Sequence, residues 1–184
     1  MNDLGNYLQS RRNAIDTALE RFIPTPPACP PLIGQAMRYS LFAGGKRIRP
    51  ILTLAAGDSV ADHDTDTMAM PAACAIEMIH TYSLIHDDLP AMDNDDFRRG
   101  QPSCHKQFGE DIAILTGDTL HALAFEILAK TLPQFYSSDK VVEIIWHMSK
   151  AFGINGMAGG QVLDLKNTSQ FPQEKYVKTT HRLK

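Results

Sequence analysis

TMAMPAACAIEMIHTYSLIHDDLPAMDNDDFRRG, residues 67 to 100, is the stretch whose reading decides the fold. Met68, Ala72, Ala75, Ile76, Ile79 and Ser83 recur at helical spacing as far as His86. Pro90, which has no N–H and clashes with the preceding turn, then breaks the pattern and opens a polar loop from Asp93 to Gly109. The same period returns on both sides. Leu4, Tyr7, Leu8, Ile15, Ala18, Leu19 and Phe22 mark a first helix, ended by the stiff run PTPPACPP at 24 to 31. Leu32, Ile33, Ala36, Met37 and Leu41 mark a second helix, stopped at Gly44-Gly45, and Pro50 is placed as the first residue of a third. Further helical patterns cover 111 to 130, 139 to 152, 154 to 166 and 172 to 184. No stretch alternates with the period of two that a half-buried strand needs, so the fold class is all-α.

The 184 residues carry 18 Lys and Arg against 21 Asp and Glu, a net charge of −3, with 43% hydrophobic residues. This balance excludes a disordered chain, and it argues against a nucleic-acid partner, since phosphate backbones are held by a clear excess of basic residues. The length fits one domain, 1 to 184. Cys29, Cys74 and Cys104 are odd in number and far apart, without zinc-ligand spacing, and read as free thiols in a reducing compartment. The N-terminus mixes both charge signs and lacks a signal-peptide core. Nowhere do 18 apolar residues run together, so a cytoplasmic protein without stable membrane insertion is expected.

HDDLPAMDNDDFRRG, 86 to 100, packs Asp87, Asp88, Asp93, Asp95 and Asp96 into ten residues, followed by Arg98 and Arg99. Like charges this crowded repel unless cations intervene, and oxygen-only ligands suit Mg²⁺ shared with substrate phosphates. The plain alternative is a solvated acidic loop, against which stands the position of Asp87 at the end of a mostly apolar helix. A calcium loop of the EF-hand kind fails, because Phe97 falls at its fifth ligand position. On an ideal helix the six residues from Asp87 to Asp93 turn about 600°, so Pro90 must break the helix and let Asp93 arrive from the loop.

GGKRIRP, 44 to 50, sets two glycines, Lys46, Arg47 and Arg49 ahead of a helix N-terminus, where backbone N–H groups, the helix dipole and guanidinium forks favour an anion. It is not a Walker A loop, and an ordinary basic loop is the competing reading. His80 lies seven residues before Asp87, nearly two full turns, on the same face with Ser83 between them. Gln161 and Asp164, three apart in GMAGGQVLDL, share another face. A satisfied core histidine and a buried polar pair are the alternatives for these.

Taken together, GGKRIRP, IEMIHTYSLIHDDLPAMDNDDFRRGQPSCHKQFGEDIAILTGDTLHALAFEIL and GMAGGQVLDL resemble the short-chain trans-prenyltransferases of the bacterial farnesyl diphosphate synthase type, in order and at the family's spacing. The resemblance implies an antiparallel helical bundle of the isoprenoid synthase type, a homodimer, and head-to-tail condensation of isopentenyl diphosphate with an allylic diphosphate to give farnesyl diphosphate. It implies that Asp87, Asp88 and Asp93 hold Mg²⁺, with Mn²⁺ as the alternative ion, on the allylic diphosphate, and that Arg98 grips that diphosphate. Lys46, Arg49, His80 and Arg99 match the isopentenyl diphosphate pocket. Gln161 and Asp164 match polar residues of a later helix, and Lys184 matches a lysine that steadies the departing diphosphate and the cation. Tyr82, five residues before Asp87, with Ser83 beside it, matches the position that sets product length; the ring favours farnesyl over geranylgeranyl diphosphate. The family is longer and carries a second aspartate-rich motif, which 1 to 184 lacks, so the chain is read as an N-terminal portion without the C-terminal helices. A geranylgeranyl diphosphate synthase is the rival within the class. A non-catalytic partner subunit is the rival outside it, opposed by the retention of every charged residue of the first motif. Terpene cyclases have no use for GGKRIRP.

Overall fold

The computed structural model describes residues 3–60, 65–166 and 174–184. It is all-α, as the spacing predicts, and the chain divides into two compact units, Met1–Phe135 and Tyr136–Lys184. The first unit contains α1 (Asp3–Phe22), α2 (Pro31–Phe42), α3 (Ile48–Val60), α4 (Thr65–Asp87), α5 (Cys104–Phe108) and α6 (Glu110–Thr131). The second contains α7 (Ser138–Phe152), α8 (Met157–Lys166) and α9 (Glu174–Leu183). Positions 172 and 173 of the expected last helix lie outside the described residues.

Within the first unit α4 is the central element, packed on α3 and α6. Helices Thr65–Asp87 and Glu110–Gln134 are apolar and long enough to cross a membrane by length and composition, and about half of each apolar stretch is buried within the fold. A helix enclosed by neighbours has no need of a polar face. Met78, Ile79 and Ile85 of α4 meet a core completed by Leu19, Met37, Leu41, Leu54, Leu120 and Leu128. At Gly117 of α6 the His86 side chain of α4 sits so close that a Cβ would fall on its Nε2. The His86 Nε2–H donates to the Ile114 carbonyl at 3.1 Å.

Three local features differ from the sequence reading. Helix α3 starts at Ile48 rather than Pro50. Pro50 is still in the first turn, where its missing N–H would have had no intrahelical partner, and the first bond is Ile51 N–H to the Arg47 carbonyl at 3.0 Å. Helix α5 and a two-residue antiparallel ladder, β1 (Phe97–Arg98) with β2 (Gln101–Pro102), lie inside the stretch read as loop. Both are too short to produce a periodic signal. The ladder turns through Arg99 (φ 53°) and Gly100 (φ 80°), the pair of positive φ angles that a two-residue hairpin requires.

Arg47 ties the first unit together. Its side chain is buried, with Nη1 donating to Glu77 Oε1, Nε to Asp16 Oδ1 and Nη2 to the Leu41 carbonyl, each at 2.7 Å. One guanidinium thus joins α1, α2 and α4. Glu77 is only 2% exposed, so its charge depends on that partner. Arg47→Met should therefore cost about 3–5 kcal/mol, as when one member of a buried pair is removed. Arg47→Met combined with Glu77→Leu should recover most of that loss in urea unfolding. Unchanged stability of the single variant would show that the pair does not hold the helices.

Candidate active site

The carbonyls that end α4 have no partners within the helix, and the acidic loop supplies them. Asp93 N–H donates to the Asp87 carbonyl at 2.8 Å, Asp95 N–H to Asp88 at 3.2 Å, and Asn94 N–H to Leu89 at 3.1 Å. Asp93 therefore arrives beside Asp87 from the loop, as the break at Pro90 demands. The arrangement gathers carboxylates at a helix C-terminus, where the helix dipole already disfavours negative charge. Within the chain, Arg98 pairs with Asp88 and Lys106 with Asp96, offsetting part of this crowding.

Asp88 goes elsewhere. It is 2% exposed, and Arg98 Nε lies 2.9 and 2.7 Å from its two carboxylate oxygens, with Nη2 2.5 Å from Oδ1. The hydrogen-bonded Asp88 carboxylate holds the Arg98 guanidinium above its usual pKa. The three aspartates expected to act as one metal set are thus divided: Asp87 and Asp93 adjoin through their backbones, while Asp88 faces Arg98. Among the described residues no three His, Cys, Asp or Glu side chains converge as a ready-made metal site. Mg²⁺ shared with a diphosphate needs only one or two carboxylates, so Asp87 and Asp93 fit such an ion.

The hairpin turn sends the next side chain to a second place. Arg99 Nη1 donates to the Gly44 carbonyl, and its guanidinium lies so near Gly45 (φ 142°) that a Cβ there would stand 2.8 Å from Nη1. Around it opens a cleft of about 630 Å³, lined by Arg12, Lys46, Arg49, Glu77, His80 and Arg99 among others. Lys46, Arg49, His80 and Arg99, matched to one pocket by resemblance, all line this cleft. Arg47 differs from its neighbours in the motif: it turns inward to Glu77 and Asp16, leaving Lys46 and Arg49 exposed. Burial, with Arg49 and Arg99 nearby, pushes His80 down to about 4, so its imidazole is neutral near pH 7. Arg49 Nη1 lies 3.5 Å from His80 Nε2. Burial and the nearby Arg47 also lower Arg99.

Tyr82 sits half-buried one turn before His86. Its ring meets His86 edge-on at 5.2 Å between centroids and lies tilted over His121 of α6 at 5.0 Å; His121 meets Phe125 edge-on at 5.3 Å. Burial and Asp87 raise the phenol pKa. Ser83 Oγ donates to the His80 carbonyl at 2.8 Å, within its own helix. The sequence reading missed His121 and Phe125, although their spacing of four on α6 places them on one face. In the second unit Lys184 Nζ lies 2.6 Å from Asp164 Oδ2, and Gln161 is part-buried one turn earlier on α8. Gly160 lets the end of α9 approach closely, since a Cβ there would stand 2.6 Å from the Lys184 backbone nitrogen.

The fold is helical, with an acidic loop at the end of α4 and a cationic cleft on the other side of one hairpin. Residues 30–183 match the polyprenyl synthetase family model, and the chain belongs to that family. It is 49% identical over 166 residues to the heterodimeric geranylgeranyl pyrophosphate synthase large subunit 1, chloroplastic, of Arabidopsis thaliana, covering 90% of this chain and 44% of that protein. Among solved structures it superimposes on a geranyltransferase from Legionella pneumophila with a TM-score of 0.91 and 43% identity, covering 97% of this chain and 62% of that one. An FPP/GFPP synthase from Zymomonas mobilis follows at 0.88 and 38%, covering 98% and 65%. The chain spans about half the length of the curated relatives it matches.

His80 offers a direct check on the cleft. A folded-state pKa near 4 against an ordinary 6.5 means that the unfolded chain takes up a proton which the folded chain refuses. His80 should therefore lower stability as pH falls from 6.5 toward 4. Its ring signals in NMR, assigned with His80→Gln, should titrate near the lower value, and inorganic diphosphate should move the midpoint up by offsetting the surrounding positive charge. Titration at an ordinary histidine pKa would contradict the described burial among guanidinium groups.

Proposed function

We propose that the whole protein is a trans-prenyltransferase that condenses isopentenyl diphosphate head-to-tail with an allylic diphosphate. One observation carries this reading: consecutive side chains take different partners, Arg98 pairing with Asp88 beside the acidic loop while Arg99, which borders that side too, reaches the Gly44 carbonyl in the Lys46, Arg49 and His80 cleft. Two diphosphate substrates call for such a division. Asp87 and Asp93 are the residues that would hold Mg²⁺, which when bound would neutralise charge on the leaving diphosphate. Arg98 orients the allylic diphosphate, whose C–O bond breaks with the electron pair leaving on oxygen. Lys46, Arg49 and Arg99 fix the second diphosphate, so that the isopentenyl double bond attacks the allylic carbon and the new cation then loses a proton. Neutral His80 adds a hydrogen-bonding group to that cleft without adding a like charge.

For product length, the names of the curated relatives favour geranylgeranyl diphosphate. Tyr82 supports a second reading, farnesyl diphosphate, because it lies about 7.5 Å of helix rise deeper than Asp87 and a growing tail would meet its ring. Chromatography of phosphatase-treated product should show a twenty-carbon alcohol under the first reading and a fifteen-carbon alcohol under the second. Under the second, Tyr82→Met should lengthen the product, since a thin flexible chain replaces a rigid ring.

Asp87→Asn or Asp93→Asn should lower turnover by at least ~10²-fold with unchanged circular dichroism, as expected when a group opposing developing charge is lost. Full Mg²⁺-dependent turnover in both variants would reduce the cluster to a solvated loop.

A further inference from the structure

Adjacent arginines on α1 take different directions. Arg11 turns to Asp58 of α3, with Nη2 2.7 Å from Oδ2, and to Asp66 of α4. Arg12 turns to the cationic cleft, which it lines together with Lys46, Arg49, His80 and Arg99. It lies ahead of residues 30–183, the span that matches the family model. The helix beneath it is firmly held: Ile15 and Leu19 are fully buried, and Asp16 accepts from the enclosed Arg47 at 2.7 Å. The Arg12 side chain itself is loosely held. Its Nε lies 3.7 Å from Asp16 Oδ2, beyond hydrogen-bond distance, and both side chains are part-exposed. An i,i+4 ion pair with the cation nearer the helix N-terminus is the weaker orientation, and exposure to water weakens it further. Asp16 keeps Arg47 as a partner, so it can release Arg12 without being left uncompensated. Glu77, which also lines the cleft, is already paired with Arg47, so the lining offers positive charge to a ligand. Burial lowers the Arg99 pKa first, and the like charges of Arg47, Arg98 and Arg12 add to that.

Resting on the prenyl-transfer reading, we propose that Arg12 is a further substrate-binding residue: its guanidinium leaves Asp16 for the diphosphate of isopentenyl diphosphate and raises affinity for that substrate alone. Arg12 comes from α1, Arg49 from α3 and Arg99 from the hairpin, so the cations reach the cleft from different parts of the fold. A guanidinium forks onto two phosphate oxygens at once and stays charged at any working pH. The exchange is favourable because a long contact with one carboxylate gives way to a double charge-assisted hydrogen bond.

Binding and turnover of the whole protein test this together. Isopentenyl diphosphate alone, with EDTA to remove metal ions, has no allylic partner to react with and reports on the cleft. By calorimetry Arg12→Gln should bind it about 10-fold more weakly, Arg12→Lys should lose less, and Arg12→Glu should lose more. Steady-state kinetics should then divide. In Arg12→Gln the KM for isopentenyl diphosphate should rise about 10-fold, while kcat and the KM for geranyl diphosphate stay within about twofold. The urea midpoint of Arg12→Gln should not move, since the contact with Asp16 is weak. A residue that only braces α1 would instead lower the urea midpoint and leave the affinity for isopentenyl diphosphate as it was. That result, or an equal rise in both KM values, would overturn the assignment while leaving prenyl transfer standing. Should Arg12→Glu fail to fold, Arg12→Gln and Arg12→Lys still decide. An unaltered protein that neither binds isopentenyl diphosphate nor forms a prenyl product would overturn the prenyl-transfer reading and, with it, this role of Arg12.

Discussion

The first unit depends on a buried guanidinium. Arg47 is enclosed by α1, α2 and α4 and meets two carboxylates and a carbonyl, so its charge is satisfied without water. A buried ion left without a partner would cost several kcal/mol, which means that Asp16, Leu41 and Glu77 must arrive together. By turning inward, Arg47 leaves Lys46 and Arg49 on the rim of the cleft. Of the three cations in this motif, one is structural and the other two line the cleft.

A second constraint acts at the end of α4. The carbonyls of Asp87 and of Asp88 and Leu89 just past it take the amides of Asp93, Asp95 and Asn94, and this folding back sets carboxylates where the helix dipole opposes them. The loop is stabilised locally by its backbone and strained electrostatically by its side chains. Arg98 relieves part of the strain by neutralising Asp88, and the remaining negative charge is what a cation would meet. Positive φ at Arg99 lets the adjacent arginines turn to different partners, Arg98 to Asp88 and Arg99 to the Gly44 carbonyl.

Much of this was legible in the residues themselves. Helical spacing placed α1, α2, α4, α6 and α7, because apolar residues three and four apart must share a buried face. The break at Pro90 and the arrival of Asp93 beside Asp87 followed from the same geometry. The clustering of Lys46, Arg49, His80 and Arg99 was legible through resemblance, since no local rule brings positions 46 and 99 together. Helix α5, the Phe97–Pro102 ladder and the start of α3 were not legible, being too short for a period to show.

Sequence by itself determined the all-α class, the acidic and basic segments and their place at helix ends, because these follow from periodicity, proline and charge along the chain. Tertiary structure alone decided which like residues differ in role. Asp88 and Asp87 are neighbours in sequence, yet one is enclosed against Arg98 and the other adjoins Asp93; Arg47 and Arg49 are two apart, yet one is buried and the other exposed. The tilted contact of Tyr82 with His121 likewise joins two helices. The physical reason is common to all three: partner and burial set what a charged or aromatic side chain can do, and both come from residues distant in the chain.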